Sequence, residues 1–152
     1  CRLGSLSTRA VTSEYLSKCR ELIDVVERQT PQIQQVADLF NRWNDALASG
    51  DPEQVAALYS DDALLLPTLS PELRDTREGI TDYFTSFLSR HPSGTITHRQ
   101  IRLGCNEAVD AGTYRFALHD PEATVEARYT FVYGLEQGEW RIQHHHSSLL
   151  PG

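Results

Sequence analysis

The sequence predicts an α+β fold, with helices first and an antiparallel sheet after, and three observations carry that reading. Apolar residues repeat at helical spacing as far as Leu88, and from Thr95 to the end they alternate with polar ones. No strand–helix–strand repeat links the two halves, so the sheet is a meander rather than a parallel array. The chain has 152 residues, a size that suits one domain around one core.

The first helix is marked by Leu16, Cys19, Leu22, Ile23 and Val26, with Thr12 or Ser13 available as cap. Thr30-Pro31 predicts a fresh start, because threonine can cap and proline at the first helical position wastes no donor. We place an N-terminal helical extension at 1–30 and the main domain at 31–152 on that signal. Ile33, Val36, Ala37, Phe40, Trp43 and Leu47 then form one apolar stripe, which Gly50 ends. Asp51-Pro52-Glu53-Gln54 repeats the cap-and-proline pattern and opens a short helix carrying Val55, Leu58 and Tyr59. After it, Ala63-Leu64-Leu65-Leu66-Pro67-Thr68 reads as a short buried strand stopped by proline. A helix behind Thr76 places Ile80, Tyr83, Phe84, Phe87 and Leu88 on one face, which makes three or four helices in all.

Beyond Thr95 the alternation runs through Leu103, Tyr114–Leu118, Val125–Tyr133 and Trp140–Leu150. Turns are predicted at Asp110-Ala111-Gly112, at His119-Asp120-Pro121 and at Gly134–Gly138. The last two strands form a hairpin across Leu135-Glu136-Gln137.

Composition narrows the function classes. Hydrophobic residues make up 39% and charged residues 23%, as in an ordinary soluble globular protein. The net charge of -7 is spread along the chain, and no basic stripe exists to meet phosphate, so neither nucleic acid nor an anionic membrane is an expected partner. No apolar run approaches the roughly 20 residues that span a bilayer. Cys1, Cys19 and Cys105 lack CxxC spacing, so neither a zinc ribbon nor a disulfide framework is indicated, and the odd count leaves a free thiol. The opening Cys1-Arg2-Leu3-Gly4 carries no initiator Met, which reads as a domain cut from a longer precursor with its targeting segment missing.

The chemistry is concentrated in His144-His145-His146-Ser147-Ser148, a run of three histidines in a chain that holds six. On a strand these cannot all face one way. His144, His146 and Ser148 share a face with Trp140 and Ile142, while His145 and Ser147 share the other with Arg141 and Gln143. Periodicity alone puts Trp140 and Ile142 inward, and His144 and His146 with them. A metal is the other chemistry that such a run offers, since histidines at i and i+2 can share an ion. A usable site needs a third ligand, and only His98 and His119 offer themselves.

A wider set of residues is familiar. Trp43-Asn44-Asp45-Ala46-Leu47, Ser49-Gly50-Asp51, Leu58-Tyr59-Ser60-Asp61-Asp62-Ala63, Leu66-Pro67-Thr68, Arg77-Glu78-Gly79-Ile80, Arg128–Tyr133 and Gly138-Glu139-Trp140-Arg141-Ile142 follow one another in order. Together they resemble the nuclear transport factor two-like superfamily, in the branch related to the kinase association domain, over residues 35 to 150. The LLPT segment with the HHHSS ending is similar to the iota class of carbonic anhydrases. The resemblance implies a cone in which N-terminal helices pack on a curved antiparallel sheet around a pocket, and a homodimer formed through the outer sheet face. It reverses the strand phase: Phe131, His145 and Ser147 line the pocket, and Trp140 and Ile142 fall on the subunit contact.

The same resemblance implies the activity, the reversible hydration of carbon dioxide to bicarbonate, and the residues that carry it. Thr68, Tyr83, His145 and Ser147 are the implied catalytic group and Phe131 the implied substrate wall. No metal ligand is implied, zinc or manganese being the alternative cofactor, and chloroplast or periplasm is the implied compartment. In this scheme the hydroxyls hold water and donate to the developing oxyanion, and His145 accepts or relays a proton because imidazole titrates near the working pH. The alternative is a non-catalytic oligomerisation or small-ligand-binding module on the same scaffold, since a fold alone does not set an activity. A ring isomerase or cyclase is a further reading, and it requires a pocket with room for several rings.

Overall fold

The computed structural model describes residues 13–151, with the side chains of 14–22 and 32–151. Helix α1 (Ser13–Ser49) runs unbroken through Thr30-Pro31, where the sequence predicts a second start. One proline removes one amide from the ladder, and in this chain that does not end the helix. Its C-terminal half is held by packing: Val36, Phe40, Trp43 and Leu47 are buried as one stripe, while Leu16 and Leu22 stay exposed. Asn44 sets its position on the sheet, donating to the Gly94 carbonyl at 3.0 Å and accepting the Gly94 amide at 2.8 Å.

Helix α2 (Pro52–Ala56) starts as predicted, with the Asp51 carboxylate accepting the Glu53 amide. It ends sooner than predicted, and Tyr59 opens strand β1 (Tyr59–Leu66) instead of closing the helix. Helix α3 (Arg77–Leu88) begins behind Thr76, whose hydroxyl accepts the Gly79 amide at 3.0 Å. Arg77 then ties these pieces together, donating to the carbonyls of Ala56 at 2.5 Å and Tyr59 at 3.2 Å.

Strands β2 (Ser93–Gly104), β3 (Glu107–Leu118), β4 (Ala123–Glu136) and β5 (Glu139–Leu149) complete one sheet in the order β1-β5-β4-β3-β2. All neighbours are antiparallel except β1 and β5. The helices cover one face, and between them lies a single aromatic core that includes Trp43, Tyr59, Phe84, Tyr114, Phe131 and Tyr133. No helix among the described residues is long and apolar enough to cross a membrane. Cys19 carries a free thiol, whereas Cys105 is disulfide-bonded, which the cysteine spacing does not indicate.

Two of the three predicted turns are where the sequence places them. Gln137 and Gly138 close the last hairpin with φ of 51° and 81°, the pair of positive values that a tight two-residue hairpin needs. The third does not turn at all. Asp110, Ala111 and Gly112 lie inside β3, and the chain reverses instead at Cys105-Asn106, where Asn106 takes φ 55°. Gly112 is a glycine of close approach: a Cβ there would stand 1.9 Å from the His98 carbonyl oxygen, beside the register irregularity between Ile96 and His98.

A second irregularity decides the phase of β5. Ile142 pairs with Tyr133 and His144 with Val132, so Gln143 is an extra residue and the alternation shifts after it. Ile142, at 2% exposure, and His145, at 3%, therefore both face the core. The expectation that Ile142 belongs to the outer face with Trp140 is corrected by that bulge; Trp140 is half-buried and packs against the edge of the core.

The fold makes one clean prediction. Gly112→Ala forces a methyl group into backbone and should cost several kcal/mol, on the order of 3 or more. Gly104→Ala meets only ordinary contacts at 3.6 Å and should change stability by less than about 1 kcal/mol. Urea unfolding of the two variants checks the contrast.

Candidate functional site

The shift after Gln143 delivers His145 and Ser147 to the core side of β5, with His144, His146 and Ser148 on the other. Of the two phases open to the run, the structure has the one that the family resemblance implies. The His145 ring lies flat on Phe131, centroids 4.0 Å apart and planes 18° from parallel, with Trp43 edge-on at 5.5 Å. Both ring nitrogens meet phenols. Nδ1 is 2.9 Å from the Tyr59 hydroxyl, and Nε2 is 3.3 Å from that of Tyr114. Trp43 donates its indole N–H to the Tyr59 oxygen at 3.2 Å, and Tyr114 donates to the Ser147 hydroxyl at 2.6 Å.

Ser147 in turn touches Thr68, whose hydroxyl is hydrogen-bonded to it. Thr68 is placed there by the chain after β1. Leu65 and Arg74 exchange a pair of backbone hydrogen bonds at 2.8 Å, which closes the segment between them into a loop over the sheet. Pro67 is buried and ends the strand, so Thr68 overhangs the interior. Tyr83 approaches from α3 but spends its hydroxyl on the Thr68 backbone carbonyl at 3.1 Å, so it braces the loop.

Thr68, Tyr83, Tyr114, His145 and Ser147 border a small cavity whose other walls are apolar, among them Leu65, Phe84, Phe87, Leu118 and Val125. It leaves about 20 Å³ for the centre of a water-sized molecule, where a single water needs about 10–15 Å³. That is space for one very small guest and not for fused rings. Phe131, the implied substrate wall, is absent from the lining. It lies behind His145, supporting the ring rather than the cavity.

Electrostatics distinguish the histidine from its implied role. Burial, with the flanking His144 and His146 in second place, lowers the His145 pKa to about 3. The ring is therefore neutral in the physiological range and does not titrate near pH 7. Burial pushes the phenols of Tyr59, Tyr83 and Tyr114 well above their ordinary value, so they too remain neutral donors. Nor do the histidines converge as ligands. Both nitrogens of His145 are taken, its two neighbours face away, and His98 and His119 are exposed on β2 and on the turn after β3. Among the described residues no group of three or more His, Cys, Asp or Glu is arranged to hold an ion.

Sequence reasoning brings together Thr68, Tyr83, His145 and Ser147, and the structure places all four at one cavity. It misses Tyr59 and Tyr114. Tyr59 reads as the end of a helix, and Tyr114 as one aromatic in an alternating strand; their only signal is that a buried phenol needs a partner. A second polar cluster also lies outside the motifs. Asp110, fully buried, accepts two bonds from Arg99 at 3.2 and 2.9 Å and one from Tyr129 at 2.9 Å.

The buried ring makes stability depend on pH with a definite sign. The unfolded chain takes up a proton on His145 near its ordinary value of 6.5, and the folded one only near 3. Between these values the unfolded state binds more protons, so stability is full above about pH 6.5 and falls as pH drops. Between about pH 6.5 and 5 the loss from this group should be roughly 2 kcal/mol. Urea unfolding at both pH values should show that loss in the wild type and a smaller one in His145→Gln.

Comparison with known proteins places the chain. The model of the calcium/calmodulin dependent protein kinase II association domain matches residues 32–151. A Xanthomonas campestris protein assigned to that domain has 50% sequence identity over 77% of this chain and 86% of its own, with a TM-score of 0.76. An NTF2-like protein from Streptomyces avermitilis, named as a dehydratase, shares the fold at 14% identity, covering 82% and 99% with a TM-score of 0.73. Another from Pseudomonas putida does so at 19%, covering 78% and 87% with a TM-score of 0.69. No curated protein matches the sequence. The chain belongs to the calcium/calmodulin dependent protein kinase II association domain family.

Proposed function

We propose that the domain combines two roles on opposite faces of one sheet: assembly outside, and reversible hydration of carbon dioxide inside the cone. The family match supports the first, since an association domain is one that oligomerises. The outer face offers Leu64, Leu66, Val132 and His144, all half-buried in the isolated chain, as a surface for a second copy. A homodimer is the simplest closed arrangement of one such patch.

The observation that carries the second role is the hydrogen-bonded pair Thr68 and Ser147 at the wall of a cavity sized for a very small molecule. Apolar walls suit carbon dioxide, which has no dipole to satisfy. The hydroxyl pair suits what it becomes, because negative charge grows on oxygen as the C–O bond to water or hydroxide forms. The same small volume disfavours a cyclase or ring isomerase. Association alone, with the cavity as a mere packing defect or small-ligand site, is the competing reading, and the family description favours it.

Stopped-flow hydration on chelator-treated protein separates the two. Ser147→Ala should lower the rate about a hundredfold, the cost of one hydrogen bond made in the transition state, and leave the oligomer intact. Ser148→Ala, on the outer face, should leave the rate unchanged. A wild-type rate equal to buffer alone leaves the association role as the whole function.

A further inference from the structure

The polar chain that ends at Thr68 and Ser147 has a direction, and its start sets that direction. An indole N–H can only donate, so the Tyr59 oxygen accepts from Trp43. Among the described residues the Tyr59 hydroxyl proton has one acceptor within reach, Nδ1 of His145. Were Nδ1 to carry the ring proton, the proton of the fully buried Tyr59 would be stranded, at the full cost of an unmade hydrogen bond. The neutral ring therefore holds its proton on Nε2 and gives it to the Tyr114 oxygen. Tyr114 passes its own to Ser147. Ser147 and Thr68 share one bond and hold two protons, so one hydroxyl proton is left over at the cavity.

We infer that Trp43, Tyr59, His145 and Tyr114 form a one-way hydrogen-bond relay that fixes the Thr68–Ser147 pair as a donor toward the cavity, with His145 as a positioning residue and not a base. The relay cannot reverse without stranding the Tyr59 proton, because Trp43 caps its far end with a group that never accepts. Titratable groups facing the ring are the Tyr59 phenol from β1 and the Tyr114 phenol from β3; His144 and His146 flank it on β5, while α1 and β4 present only Trp43 and Phe131. None of these supplies a carboxylate. A site that donates and has no base has a consequence for the chemistry proposed above, on which this part rests. The nucleophile is hydroxide drawn from solvent: its oxygen bonds to the carbon of carbon dioxide, one C–O π pair moves onto oxygen beside the donor, and bicarbonate leaves with no proton to dispose of.

The relay is tested on the folded wild-type protein by nitrogen NMR of ring-labelled histidine, which reads the tautomer whether or not the protein is an enzyme. His145 should show a bare Nδ1 and a protonated Nε2, unchanged between about pH 5 and 8. Tyr59→Phe should release Nδ1 and mix the tautomers. A proton on Nδ1 in the wild type, or titration of His145 within that range, overturns the relay. Kinetics test the consequence separately: kcat/KM for hydration should climb with hydroxide without levelling near neutrality, and Tyr114→Phe should lower it about tenfold at every pH, without altering the slope. A plateau near pH 7 in the wild type that vanishes in His145→Gln would make the histidine the base after all. No activity in any variant, with the tautomer as stated, leaves the relay standing and removes the hydration reading alone.

Discussion

A neutral imidazole buried among aromatic rings must find a partner for each nitrogen, and in this molecule that requirement organises the interior. Tyr59 and Tyr114 meet it, and each is held by something further away. Tyr59 is at the mouth of β1 because α2 stops early and Arg77 grips the carbonyls around it. Tyr114 is in reach because β3 runs straight past Gly112, where the neighbouring strand crowds in too closely for any side chain. The bulge at Gln143 puts the ring inward in the first place. Stacking on Phe131 and the edge of Trp43 then excludes water and holds the histidine uncharged.

The difference between the two faces of the sheet follows from the same strand. Beyond the bulge at Gln143, side chains of β5 alternate between a hydroxyl-lined interior and a partly exposed outer face. Such an arrangement lets one scaffold serve both as an association module and as a container for chemistry, with residue identity inside deciding which is used. In this chain the interior carries phenols, an imidazole and hydroxyls hydrogen-bonded in series beside one small cavity.

Much of this is legible in the sequence, and the exceptions have physical reasons. Local signals hold where they are strong. Asp51-Pro52 and Thr76 cap helices, and Gln137-Gly138 turns a hairpin, because each depends on a few neighbouring atoms. Signals that depend on distant chain mislead. Pro31 does not break a helix whose later turns are pinned by the sheet. Gly112 mimics a turn while serving a tight strand crossing. The β5 phase is unreadable from alternation because one extra residue shifts it, and only likeness to a family supplies the right face. Thr68 and Ser147 stand out through motif, whereas Tyr59 and Tyr114 are two tyrosines among six whose importance exists only once the histidine is between them.

The chemistry proposed for the interior is turnover of carbon dioxide at the Thr68–Ser147 hydroxyl pair. Exchange of ¹⁸O between labelled carbon dioxide and water at chemical equilibrium tests it most directly, because it needs no net reaction and no added buffer to carry protons. Chelator-treated wild type should deplete the label well above the uncatalysed rate, and Thr68→Val, which keeps the shape and removes the hydroxyl, should return it to background. Depletion at background in the wild type, or depletion that persists undiminished in Thr68→Val, would contradict the account.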